Sequence, residues 1–165
     1  FAIIFALPLS SFGKLFPDQK IPLKYNTILN IHFKLPESVL SLFRNEVVGM
    51  VDSLSQWIFV KNKHISVTVS DANKYDNLSA NDIARLVWNE ICIYLKKTLD
   101  FLEFRVIKEK KATYHQSPEN NSLINNISNI PKNVSLAGDW TQNELPCTIE
   151  GSILSGKKAV ELLKI

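Results

Sequence analysis

The chain opens on seven consecutive apolar residues, Phe1 to Leu7, stopped by Pro8. A short, unbroken apolar run ended by a turn signal predicts a strand buried on both faces, the environment of a parallel sheet. A parallel strand needs a partner reached through a crossover, so the rest of the sequence must supply a second strand and a covering helix. The segment Asn133 to Ala137 reads as that strand, and Thr148 to Leu163 as the helix. Ile149, Ile153, Gly156, Val160 and Leu163 recur at helical spacing and are expected to form its packing face.

The middle of the chain has a different rhythm. Tyr25 to Phe33 has strand character, with Ile31 and Phe33 alternating about His32. Gln56 to Val60 and Ile65 to Ser70 form two more strands, joined by Lys61 to His64 as a hairpin loop. Ile65, Val67 and Val69 alternate with Ser66, Thr68 and Ser70, which predicts one buried and one polar face. Ser79, with Asp82 three residues on, starts a helix in the manner of a capping box. Its apolar face is expected to hold Ile83, Leu86, Val87, Ile91, Tyr94 and Leu95. Lys96 and Lys97 suit its C-terminus, where positive charge is favoured. Phe104 to Thr113 reads as a strand. Pro17 to Pro22 reads as a linker, and the Asn- and Ser-rich stretch Ser117 to Lys132 as a loop or crossing segment.

The fold class expected is therefore α/β. Residues 1–17 and 117–165 would form part of a Rossmann-type nucleotide-binding domain, and residues 18–116 an inserted α+β domain. The 165 residues suffice for a core, and 45% hydrophobic with 21% charged residues is ordinary for a globular chain. A net charge of +3, spread along the sequence, gives no indication of nucleic acid. Two cysteines, Cys92 and Cys147, do not make a disulfide scaffold, so a reduced, cytoplasmic setting is expected. The four Asn-x-Ser sequons, at Asn77, Asn120, Asn126 and Asn133, read as chance in so Asn- and Ser-rich a chain. The apolar opening lacks the basic region and cleavage site of a signal peptide. It has no initiator Met and starts mid-run, so the chain reads as a piece of something longer.

The chemistry concentrates near the C-terminus. Leu136-Ala137-Gly138-Asp139-Trp140-Thr141 is followed by Leu145-Pro146-Cys147-Thr148-Ile149-Glu150-Gly151 and Ser155-Gly156. Gly138 lets a ligand or another backbone approach a strand end. Asp139 places a carboxylate at the C-terminal end of a strand, where ligands of open α/β sheets bind. A carboxylate accepts hydrogen bonds from sugar-type hydroxyls, worth about 1.5–3 kcal/mol each. The helix beginning near Thr148 to Gly151 offers free N–H groups and the positive end of its dipole. Together these suit a ribityl chain and an electron-rich ring. The same residues are also compatible with packing alone.

The stretch Leu136 to Gly156 resembles the C-terminal FAD motif of the amine oxidase and phytoene desaturase superfamily. Within it, the pairing of Gly-Asp-Trp-Thr with Leu-Pro-x-Thr-Ile-Glu-Gly is most similar to the squalene-associated, FAD-dependent branch, the hydroxysqualene dehydroxylases. Ile3 to Pro8, Thr27 to Phe33, Gln56 to Phe59, Ser66 to Ala72 and Val106 to Pro118 resemble segments of that branch in the same order. The resemblance implies FAD as cofactor. Gly138, Asp139, Trp140, Thr148, Ile149, Glu150 and Gly151 would be the cofactor residues, with Asp139 on the ribityl or pyrophosphate region. The backbone at Ile149 would face the flavin pyrimidine edge, where a helix N-terminus favours the anionic reduced form. It also implies an isoprenoid lipid substrate and reductive removal of a hydroxyl, with a carotenoid desaturase or an amine oxidase-like enzyme as the alternative.

Thr148 stands where amine oxidases place an aromatic cage residue, which speaks against an amine substrate. Cys147 and Ser152 stand where the family usually has Ala, and Asn143-Glu144 replaces Thr-Gly. No Gly-x-Gly-x-x-Gly run is present, so the FAD pyrophosphate site would belong to a missing N-terminal portion. An insoluble substrate implies work at the inner face of a membrane, as a peripheral protein. No catalytic residue is singled out. His32, His64 and His115 lack metal-ligand spacing, and no metal is expected. No Gly-x-Ser-x-Gly elbow occurs. Trp57, Trp88 and Tyr94 read as core, while the Gln56 to Val60 and Tyr25 to Phe33 strands could line an apolar substrate tunnel past Asn30 and His32. The rival of another class is a non-catalytic α/β binding fragment.

Overall fold

The computed structural model describes residues 1–141 and 145–163. The chain divides into two compact units, Phe1–Tyr25 with Thr113–Ile165, and Asn26–Ala112.

In the first unit, strand β1 (Ile3–Ala6) pairs in parallel with β7 (Val134–Ala137), with Ala6 opposite Ala137. Helix α5 (Ile149–Leu163) packs on β7. The parallel strand, its partner and the covering helix thus all form. Burial departs from expectation, because Ile3 and Ile4 are 45% and 37% exposed. The run Phe1 to Leu7 is apolar enough for two covered faces, but the described residues do not cover both.

In this unit two helices fall where no element was expected. Helix α1 (Leu9–Leu15) buries Leu9 and Phe12 directly after Pro8, whose missing N–H costs nothing at a helix start. Helix α4 (Pro118–Asn125) occupies part of the Asn-rich stretch. Ser117 Oγ accepts from Asn120 N at 3.3 Å, and Pro118 occupies its first turn. Leu9, Phe12, Tyr114, Ile124 and Trp140 form the small core of this unit. The stretch Pro17 to Pro22 has no regular element, and Gln19 holds it in place. Its amide donates to Ser128 O at 2.9 Å and accepts from Ser128 N at 3.3 Å.

The second unit is built on a five-stranded antiparallel-type sheet of order β3-β4-β5-β2-β6. Its strands are β2 (Tyr25–Lys34), β3 (Val47–Gly49), β4 (Trp57–Val60), β5 (His64–Val69) and β6 (Phe104–Tyr114). A single helical turn, α2, spans Glu37–Leu40. Alternation in β2 and β5 buries Leu29, Ile31, Phe33, Ile65, Val67 and Val69 on one face. Helix α3 (Ala80–Leu95) shares that core through Ile83, Ala84, Val87, Trp88 and Ile91. Ser79 caps α3 as expected, accepting from Asp82 N at 3.1 Å and donating to Asp82 Oδ2 at 2.6 Å. Leu86, expected on the apolar face, is instead 46% exposed. Lys96 closes the helix in a left-handed conformation.

Glu90, near the end of α3, pins the loop before β4. Its two carboxylate oxygens accept from Leu54 N and Ser55 N, both at 2.8 Å. Burial pushes this carboxyl upward, but the neighbouring Ser55 side chain and the hydrogen bonds from the Leu54 and Ser55 amides outweigh it, and the net shift is downward. Gln56 fastens the start of β4 to the end of β5. It accepts from Ser70 N at 2.9 Å and donates to Ser70 O at 3.3 Å.

Candidate functional site

The site foreseen in the sequence lies wholly in the first unit, where β7 ends and α5 begins. Gly138 follows β7 with φ of +153°, a conformation L side chains rarely adopt. A Cβ there would lie 2.6 Å from Trp140 Nε1 and 3.0 Å from Leu7 O. Glycine is therefore required locally by close approach of the chain to itself. Gly138 N donates to Ser155 Oγ at 2.9 Å, and Ser155 Oγ donates to Ser152 O at 2.7 Å. This relay ties the strand end to the second turn of α5. Thr141 turns the chain back, its Oγ1 donating to Gly138 O at 2.9 Å.

Trp140 is placed in the core. It is 2% exposed, its indole lies 4.9 Å from the Phe12 ring, and Nε1 donates to Leu7 O at 2.7 Å. Its indole therefore braces the strand ends of β1 and β7, which is a positioning role. Asp139 is half-buried. Its carboxylate lies close to the Cys147 thiol and to Tyr114. Burial first, and then the Asp139 charge, push the Cys147 thiol up to about 12. Burial, the Cys147 thiol and Asp139 likewise push the Tyr114 phenol up. The Tyr114 hydroxyl donates to Asn121 Oδ1 at 2.9 Å, and Cys147 N donates to Gln116 Oε1 at 3.2 Å. Tyr114 and Gln116 were not foreseen. Tyr114 is the last residue of β6 and Gln116 lies just beyond it, and no spacing in the sequence links either to Asp139.

Thr148 is the N-cap of α5, its Oγ1 accepting from Gly151 N at 3.1 Å. Ile149 is 83% exposed, and Thr148 and Glu150 are exposed too, while Gly151 is buried. A Cβ on Gly151 would stand 3.2 Å from Pro146 O, so the turn into the helix is tight. Asn143 and Glu144 lie outside the described residues. The structure thus gathers Gly138, Asp139, Thr148, Ile149, Glu150 and Gly151 at one end of the β7–α5 pair, and sets the Trp140 ring behind them. A strand-end carboxylate beside an accessible helix N-terminus fits the hydroxyls and electron-rich edge of a flavin nucleotide. Gly138 N–H is already engaged by Ser155, so it is not a donor for a ligand.

The helix face itself corrects the sequence reading. Gly151, Ser155 and Ala159 are buried, while Ile149, Ile153 and Val160 are exposed at 83%, 51% and 49%. Small residues let α5 lie close to β7, and the large apolar residues point elsewhere.

In the second unit, Trp57 is 50% exposed and so is not core, whereas Trp88 is 4% exposed and is. Tyr94 is partly buried against the core, beside Phe43. Asn30 Oδ1 accepts from Thr68 Oγ1 at 3.0 Å, and His32 Nδ1 lies 2.9 Å from Ser66 Oγ. Burial, then His64 and Arg105, push the His32 imidazole down. Among the described residues no His, Cys, Asp and Glu group could hold a metal ion, and no helix is long and apolar enough to cross a membrane.

Residues 2–164 match the family of flavin-containing amine oxidoreductases. Curated relatives include a hydroxysqualene dehydroxylase from Sinorhizobium fredii, 31% identical over 98% of this chain. Others are hydroxysqualene dehydroxylases from Zymomonas mobilis, 34% identical over 97% of the chain, and from Rhodopseudomonas palustris, 30% identical over 98%. The chain spans 38% of the length of each of these relatives. Among solved structures, a "Putative protoporphyrinogen oxidase" from Exiguobacterium sp. 255-15 superposes with a TM-score of 0.69 at 12% identity. It covers 99% of this chain and 41% of its own, and supports the fold alone. The chain belongs to the flavin-containing amine oxidoreductase family.

Proposed function

We propose that the chain is the C-terminal portion of an FAD-dependent oxidoreductase that removes the hydroxyl of hydroxysqualene to give squalene. The observation that carries this reading is the name shared by three curated relatives, each 30–34% identical over nearly the whole chain. The family's flavin, when bound, supplies the electrons of such a reduction. The residues of this chain contribute placement. Asp139 is the acceptor for ribityl-type hydroxyls, and the start of α5, at Thr148, Ile149 and Glu150, presents N–H groups to the electron-rich ring edge, while Gly151 N–H is held by the Thr148 cap. Trp140 contributes by holding the Gly138–Asp139 turn against β1.

The pyrophosphate site belongs to a companion N-terminal portion, in keeping with the 38% of each relative that this chain spans. The open face of the second unit's sheet, with Trp57 and Phe59 on β4 and Asn30 and His32 on β2, is the candidate lining for an isoprenoid chain. Aromatic rings suit the hydrocarbon, and the Asn30–Thr68 and His32–Ser66 pairs suit a single hydroxyl. Such a substrate places the whole enzyme at a membrane surface as a peripheral protein. The test is turnover. Full-length protein, chemically reduced flavin and hydroxysqualene are expected to yield squalene by mass spectrometry. A flavin-loaded protein that forms no squalene in this assay, yet with oxidised flavin as electron acceptor inserts a further double bond into an isoprenoid chain, would replace this reading by the desaturase one.

A further inference from the structure

The open face of the second unit's sheet is ordered by its strand register. His32, Ser66 and Phe59 lie opposite one another across β2, β5 and β4, and Asn30, Thr68 and Trp57 form the next such row. Cross-strand partners share a face, so these six side chains make one surface. Its aromatic rings stand on β4 and its polar groups on β5 and β2. Arg105 on β6 and His64 at the start of β5 are close enough to His32 to act on its charge. Lys34, two residues along β2, is paired with Glu103 at 3.1 Å.

A surface that takes an alcohol apart needs a proton at hand, because hydroxide leaves carbon with difficulty and water leaves readily. Hydroxyl, amide, lysine and arginine groups hold their protons well above neutral pH, which leaves the imidazoles. His64 is exposed, with its ring centroid 6.3 Å from that of His32. His32 is partly buried and held in place. Its Nδ1 lies 2.9 Å from Ser66 Oγ, and its Nε2 has no hydrogen-bond partner among the described residues. Burial, then His64 and Arg105, disfavour the charged form of His32, so its imidazolium is a stronger acid than an ordinary one. The same neighbouring cations favour negative charge on an oxygen that is leaving.

We propose that His32 is the proton donor to the departing hydroxyl, with Nε2 as the donating atom and Ser66 as the residue that holds the ring. The C–O bond breaks and its electron pair goes with the oxygen. The oxygen takes the Nε2 proton and departs as water. The carbon receives a hydride, with both its electrons, from reduced flavin, which is oxidised, and the neutral imidazole regains a proton from solvent. The inference rests on the reading of the enzyme as a dehydroxylase.

The experiment compares two substrates in the full-length, flavin-loaded protein: hydroxysqualene, and its analogue with chloride in place of the hydroxyl, which leaves without a proton. His32→Gln is expected to lower squalene formation from hydroxysqualene by at least about a hundredfold, and to leave formation from the chloride within about threefold of the parent. In the parent, kcat/KM for hydroxysqualene is expected to fall as pH rises through the folded His32 value, which lies below the ordinary imidazole range, and the chloride to show no such limb. Arg105→Gln removes a positive charge that opposes protonation, so it is expected to move that limb to higher pH. A readout without turnover is the carbon-13 resonance of the His32 ring, assigned by its loss in His32→Gln, which is expected to titrate over the same range and to move likewise in Arg105→Gln. Equal losses on both substrates would mean that His32 only supports the fold, and would overturn the proposal. So would a His32→Gln protein that makes squalene at the parent's rate, or a limb and a resonance that stay in place in Arg105→Gln. With a parent that makes squalene, any of these results sinks this proposal alone. A flavin-loaded parent that makes no squalene from either substrate sinks the dehydroxylase reading, and this proposal with it.

Discussion

Replacing Gly138 by alanine puts a methyl group where the chain has no room. The backbone there has φ of +153°, and the new Cβ would lie 2.6 and 2.8 Å from Nε1 and Cδ1 of Trp140 and 3.0 Å from Leu7 O. The substitution carries two costs. Holding a non-glycine residue in this region costs about 1–3 kcal/mol. Moving the buried indole away breaks its 2.7 Å bond to Leu7 O and leaves a buried donor and acceptor unmet, for about 1–3 kcal/mol more. Relaxation shares the two, so Gly138→Ala is expected to destabilise the protein by about 2–5 kcal/mol. Urea unfolding followed by tryptophan fluorescence measures this, because Trp140 loses its packing on Phe12. Gly156→Ala is the control in this chain alone, where a Cβ meets nothing and the helix gains about 0.5–1 kcal/mol. A Gly138→Ala midpoint within error of the parent would refute the account of why glycine stands at this strand end.

Glu90 and Cys147 give pH-dependent tests. The Glu90 carboxyl is held below its usual range in the folded chain, so its contribution is present above the unfolded value and is lost as pH falls through the folded one. Glu90→Gln is expected to cost about 1–2 kcal/mol at neutral pH, discounted for partial exposure, and to flatten the acid limb of stability against pH. An unchanged acid limb would show that the 52–56 loop is held by something else. Cys147, with its thiol near 12, is expected to resist iodoacetamide at pH 8, and Asp139→Asn should speed its alkylation by removing the charge that opposes the thiolate. Identical rates in the two proteins would place Asp139 away from the sulfur.

What the sequence disclosed tracks the strength of each physical signal. Strict alternation in β2 and β5, the Ser79–Asp82 cap and the parallel strand with its covering helix were legible, because period and capping chemistry act locally. The face of α5 was read from the wrong residues. Periodicity weighs large apolar side chains, whereas close packing on β7 selected Gly151, Ser155 and Ala159. Helix α4 was hidden by its Asn-rich composition, although Ser117-Pro118 is a helix-start signal that could have exposed it. Trp57 was taken for core on residue type alone, and half-exposure shows that an aromatic on a strand need not face inward. At the site, the neighbours Asp139, Thr148 and Gly151 were readable from one motif. The contacts of Asp139 with Cys147 and Tyr114 depend on where β6 ends, which only the fold decides.

The central claim is that the end of β7 and the start of α5 hold part of a flavin, and absorbance tests it most directly. Full-length protein carrying this chain is expected to purify with a flavin spectrum, and Asp139→Ala to weaken FAD retention by at least about tenfold, the loss of one charge-assisted hydrogen bond. A full-length parent that is colourless and takes up no added FAD, or an Asp139→Ala protein that retains flavin as the parent does, would contradict it.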